Sequence, residues 1–151
     1  MKSLGWVLLI LGFFCPAVHA QEAGAGLCDP FYKALAPVPH TQLTRETGEF
    51  PSLWDQRQSS GCQVIFVTND RLRGDHPVPN FDTSMENTEM YRAGWRMNYE
   101  YTADGAGTGI FGIERGGAFC LVRFEQPSYV DDKGEIIQDE VLTMKVQCRL
   151  K

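Results

Sequence analysis

The stretch TGIFGIERGGAFCLVRFEQ, residues 108–126, decides the fold. At its centre stands Gly116-Gly117. Two-residue hairpin turns need positive φ, which glycine adopts without a Cβ penalty. Placing the turn there sets Arg115 opposite Ala118, Ile113 opposite Cys120 and Phe111 opposite Val122. The closing segment VLTMKVQCRL, residues 141–150, alternates in the same way. Setting Cys120 opposite Cys148 brings Val122 against Val146 and Phe124 against Met144, with a turn at Lys133-Gly134. One sheet face then collects Phe111, Ile113, Cys120, Val122, Phe124, Met144, Val146 and Cys148. The opposite face carries Glu114, Arg123, Lys145, Gln147 and Arg149. A slip of one residue would scatter both sets, so their agreement fixes the register.

Working outward, Trp95, Met97, Tyr99 and Tyr101 alternate with polar residues and are expected on the same apolar face, joined through the turn at 103–107. Upstream, Cys62 to Thr68 is a β-branched apolar run bounded by turn residues, a buried strand. Residues 36–50 are rich in proline and polar side chains and read as loop. Residues 51–57 read as one helical turn anchored by Trp54. Residues 69–82 read as a long polar loop. Thr83 or Ser84 is expected to cap a helix running to about Ala93, with Gly94 ending it. That helix would lay Met85, Met90 and Tyr91 on the sheet. A shorter helix is expected over 30–35, opened by Pro30. The expected fold is α+β: an antiparallel meander of four to five strands, one main helix across its apolar face, and two disulfides.

Phe119 and Leu121 break the pattern, because their register puts them on the otherwise polar face. They would form an exposed recognition surface or pack beneath the N-terminal arm.

The N-terminus supplies a compartment. Lys2, the apolar run from Leu4 to Cys15, and Val18-His19-Ala20 have the order of a secretory signal peptide cleaved after Ala20. The run is shorter than the roughly 20 residues that span a bilayer, so no stable anchor is expected after cleavage. The domain limits are then a signal peptide over 1–20, a flexible leader over 21–27, and one domain over 28–151. Cleavage takes Lys2 off a chain of net charge −5, leaving it more acidic. Without a basic stripe, nucleic acid is a poor partner. The expected location is the periplasm or the exterior. Four cysteines remain there, and an even count in an exported domain points to disulfides. The facing of Cys120 and Cys148 gives one pair and, by elimination, Cys28 and Cys62 give the other.

Catalytic signals are thin. His40 and His76 sit in proline-flanked loops, with no Gly-x-Ser-x-Gly beside them. Asp70, Asp75 and Asp82 share one loop but match no calcium-loop spacing. The run Asp104-Gly-Ala-Gly-Thr-Gly109 suggests a phosphate loop, yet the residues beyond it alternate as a strand, so it reads as a hairpin turn. Met85, Met90, Met97 and Met144 have no paired copper-ligand spacing and read as packing. No metal or cofactor is expected. The expected function is non-enzymatic binding of another protein, as an inhibitor, immunity-type protein or accessory subunit. A small hydrolase using loop acids or His76, and a carrier of an apolar small ligand, are the alternatives.

Overall fold

A computed structural model describes residue 24, residues 26–84 and residues 88–151. The expected signal peptide, most of the leader, and Met85 lie outside the described residues. Among the described residues, eight strands form a six-stranded sheet, in the order β1-β2-β8-β5-β4-β3, and a separate two-stranded ribbon, β6-β7. The strands of the main sheet are β1 (Thr41–Pro51), β2 (Gln58–Asn69), β3 (Arg96–Gly105), β4 (Thr108–Arg115), β5 (Ala118–Glu125) and β8 (Val141–Leu150); β6 (Ser128–Val130) and β7 (Ile136–Gln138) make the ribbon. Every pairing is antiparallel. The helices are short: α1 (Asp29–Leu35), α2 (Asp70–Arg73) and α3 (Glu89–Arg92). No helix among the described residues is long and apolar enough to cross a membrane.

The meander registers are those the glycine turn dictates. Ile113 faces Cys120, Phe111 faces Val122, and Cys120, Val122 and Phe124 face Cys148, Val146 and Met144. β2 joins the free edge of β8, setting Cys62 opposite Cys148 and Val64 opposite Val146. Three cysteines therefore stand abreast on β2, β8 and β5. The four described cysteines lie in two pairs at disulfide distance, Cys28 with Cys62 and Cys120 with Cys148.

The main cover of the apolar face is not the helix expected over 84–93. Among the described residues there, one turn, α3, is helical, and its cap is Thr88, whose hydroxyl accepts from the Tyr91 N–H at 3.1 Å. Met90 is buried beneath it. The cover is α1, which buries Phe31 and Leu35 completely over Val64, Phe66, Ile113, Val122 and Val146. Phe31 packs edge-on to Phe81 and Trp95, with centroids 5.0 and 5.4 Å apart. Phe81 and Val78 reach this core from the polar 74–82 segment.

Three further expectations change. The loop expected at 36–50 contains β1. This is an edge strand whose side chains are mostly exposed, so it lacks the apolar alternation that marks a half-buried strand. The loop around Lys133-Gly134 folds into the β6–β7 ribbon. Residues 51–57 are not helical. They turn back over the outer face of the sheet, where the Leu53 N–H donates to Gln147 Oε1 at 2.9 Å and Gln147 Nε2 donates to the Pro51 carbonyl at 3.0 Å.

That strap overturns an exposed surface at Phe119 and Leu121. They are only 4% and 5% exposed. Trp54 from the strap meets Tyr101 edge-on at 5.4 Å, Tyr101 lies 4.8 Å from Phe119, and the Arg149 guanidinium sits over the Phe119 ring. Among the described residues, the strap reaches Phe119 through the Trp54–Tyr101 contact. Trp54→Ala is expected to cost about 1–2 kcal/mol through the lost aromatic contact and apolar area. Urea denaturation of the full chain checks this. A loss below a few tenths would mean that the strap does not hold the aromatic stack.

Candidate functional site

β3 carries the feature that shapes one end of the sheet. Arg96, Met97 and Asn98 face Glu114, Ile113 and Gly112, but the next paired residue is Thr102, facing Phe111. Residues 99–101 form a bulge, held in part by Asn98 Oδ1 accepting from the Glu100 N–H at 3.2 Å. A bulge reverses the alternation beyond it. The expected aromatic row therefore splits. Trp95 and Met97 stay on the apolar face, Tyr99 points to solvent, and Tyr101 crosses to the outer face. Gly112 makes room for that crossing, since a Cβ there would meet the Tyr101 Cβ at 2.8 Å. In exchange, Thr102 and Asp104 come round to the apolar face.

Beyond the reach of α1, this end of the apolar face remains open. A cleft of about 310 Å³ lies between the 79–82 segment and strands β3, β4, β5 and β8. Phe81, Met97, Phe111, Val122, Phe124 and Met144 form its walls, and Asn80, Asp82, Thr102 and Asp104 add its polar groups. Gly109 is required here: a Cβ would lie 2.3 Å from the Phe124 ring and 2.9 Å from Asp104 Oδ1. Its absence lets an aromatic ring and a carboxylate lie against the same point of β4.

The β6–β7 ribbon springs from the neighbouring strand end. Gln126 fixes its root. The Gln126 side-chain amide donates to Asp70 Oδ2 at 2.6 Å and to the Asp139 carbonyl at 3.0 Å, and accepts from Gln138 Nε2 at 3.1 Å. Burial pushes the Asp70 carboxyl upward, but the hydrogen bonds from Arg73 and Gln126 and the Arg73 charge outweigh it, holding the group below the usual carboxylate range. Arg73 Nε stands 2.8 Å from Asp70 Oδ1. Past this root the ribbon is apolar and exposed: Tyr129 59%, Val130 65% and Ile136 77%. Its tip adds Asp131, Asp132 and Glu135 against Lys133 alone.

The other residues singled out from sequence come together only in part. His40 and His76 line one shallow hollow with Asp75, Leu72 and Arg73. Asp70 is committed to the ribbon root and Asp82 to the cleft. Among the described residues, the one set of three metal-type donors within 4.8 Å of each other is the sulfurs of Cys28, Cys62 and Cys148, which lie in the two disulfide pairs. The Asp104 to Gly109 run is a hairpin turn, with Gly107 at φ +67. Met90 and Met144 are buried in the core. The ribbon apolar groups and the cleft were both missed from sequence, the first because Tyr129, Ile136 and Ile137 lie in a segment dominated by turn residues. Comparison with family models, with curated proteins and with solved structures finds no match.

Proposed function

We propose that the chain is an exported, non-enzymatic domain that binds another protein, and that the β6–β7 ribbon is what it presents. The observation that carries this reading is the exposure of Tyr129, Val130 and Ile136 on a ribbon outside the main sheet. Leaving such side chains in water forgoes roughly 1.5–3 kcal/mol each in burial, a gain that a partner would recover. Tyrosine is among the residues that dominate binding energy at interfaces. The fixed root limits the entropy lost on docking. The acidic tip selects the partner chemistry: an apolar cleft rimmed by lysine or arginine. Buried disulfides suit an oxidising destination. His40, His76 and Asp75 line one hollow, but among the described residues no hydrogen bond joins either imidazole to a carboxylate, so the hydrolase alternative has less behind it than the ribbon.

The test compares two baits, wild type and the triple variant Tyr129→Ser, Val130→Ser, Ile136→Ser, on envelope and secreted fractions of the native host. A stoichiometric partner held by wild type, released by added salt, and bound about 30-fold or more weakly by the variant is the expected result. A partner held equally by both baits would overturn the reading. So would sedimentation showing that the ribbon is consumed by a second copy of the chain.

A further inference from the structure

We infer that the open end of the apolar face is a second, separate binding site, and that its ligand is a small amphiphilic cation: one ammonium group on an alkyl or aryl body. Its volume falls in the range of small-molecule sites, and its composition has their usual form, apolar and aromatic walls with a few convergent polar groups. The sign of the ligand is set by the identity of those polar groups. Asp82 and Asp104 bring two carboxylates to the cleft, and the lining includes no lysine or arginine. Among the described residues, neither carboxylate forms an ion pair. An anionic ligand would meet uncompensated repulsion there. A cation would meet attraction twice, from the carboxylates and from aromatic rings.

Local backbone design makes this more than a chance gathering of acids. Asp104 reaches the cleft only because β3 bulges over residues 99–101; unbroken alternation would place Tyr99 and Tyr101 on this face. Gly109 then seats the Asp104 carboxylate and the Phe124 ring at one point. An ammonium in the cleft beside this pair would meet both, while its apolar body extends toward Met144, Val122 and Met97. Bulges of this kind re-aim side chains at functional positions.

The probe is octyltrimethylammonium, kept below its micelle concentration. Octyl sulfate and octanol serve as the anionic and neutral controls with the same tail. Binding is followed by the methyl NMR signals of Met97 and Met144 in the full exported chain. Saturable shifts of both methyls by the cation are expected, with octyl sulfate about tenfold weaker or more and octanol between them. Asp82→Asn combined with Asp104→Asn should bring the cation to the octanol level, whereas Asp131→Asn with Asp132→Asn, which are not part of the cleft lining, should not. Thr102→Trp, at an exposed position on the rim, should block all three probes. Equal binding of the sulfate and the ammonium would overturn the inference. So would shifts confined to other methyls, or an absence of saturable binding. The three-ligand comparison needs only the wild-type chain, so it stands even where a variant folds poorly.

Discussion

Phe31→Ala is expected to remove about 3–5 kcal/mol of stability, the range for emptying a fully buried phenylalanine site. Phe31 is 0% exposed and sits on α1, the element that closes the sheet. Its ring is clamped between Phe81 and Trp95, which come from different segments of the chain. None of the three can follow the others into a void, because Trp95 leads into β3 and Phe81 is tied to the 79–82 segment. The cavity therefore stays open, and the cost should fall toward the upper part of the range. Domains of this size hold only about 5–15 kcal/mol in total, so a substantial fraction is at stake. Urea denaturation with an unchanged m-value is the measurement. A cost below about 1 kcal/mol would mean that α1 does not seal the core. Phe31→Leu, which keeps most of the volume, should lose much less.

The position of that cover also marks the limit of what the amino-acid order made legible. The meander was readable because a Gly-Gly turn fixes parity, and parity carries every side chain on β4, β5 and β8 to one face or the other. The turn fixes β4 against β5; setting Cys120 opposite Cys148 fixes β5 against β8, and the facing of Val122 with Val146 and of Phe124 with Met144 is the check on that second register. The cover was harder. Residues 84–93 have capping residues and apolar spacing, but Thr88 is the N-cap and the described helix after it, Glu89–Arg92, is one turn. Residues 29–35 are shorter, yet their two apolar side chains, Phe31 and Leu35, lie four apart on one helix face and both bury. Tertiary burial, not local propensity, decides between such segments. β1 was invisible for the opposite reason. Its strand character comes from pairing with β2 along its length, while most of its side chains are exposed and only Leu43 packs on the core. The candidate site failed to show at all, since it depends on the β3 bulge. A bulge is an insertion relative to a partner strand, and the partner's register must be known before it can be seen.

The same dependence of the cover on distant parts of the chain gives the second large effect. Replacing both Cys28 and Cys62 by alanine is expected to cost about 4 kcal/mol, from the chain entropy regained by a loop of this size. The two residues are separated by 34 positions. The Cys120–Cys148 pair spans 28, so chain entropy alone assigns it nearly the same value. Structure separates them. Cys120 and Cys148 are opposite residues on strands already joined by a hydrogen-bonded ladder. Cys28 immediately precedes α1 and links it to β2, so its loss frees the segment that positions Phe31. Backbone amide exchange should therefore accelerate across α1 in Cys28→Ala, Cys62→Ala, while Cys120→Ala, Cys148→Ala leaves α1 protected relative to the global stability. The two effects on α1 should also couple. Once the Cys28 tether is gone, Phe31→Ala should cost less than it does in the intact chain, by about 0.5–3 kcal/mol for groups acting on one shared element. Strict additivity would show that tether and ring act independently, and that the helix is held over the sheet by something other than the two together.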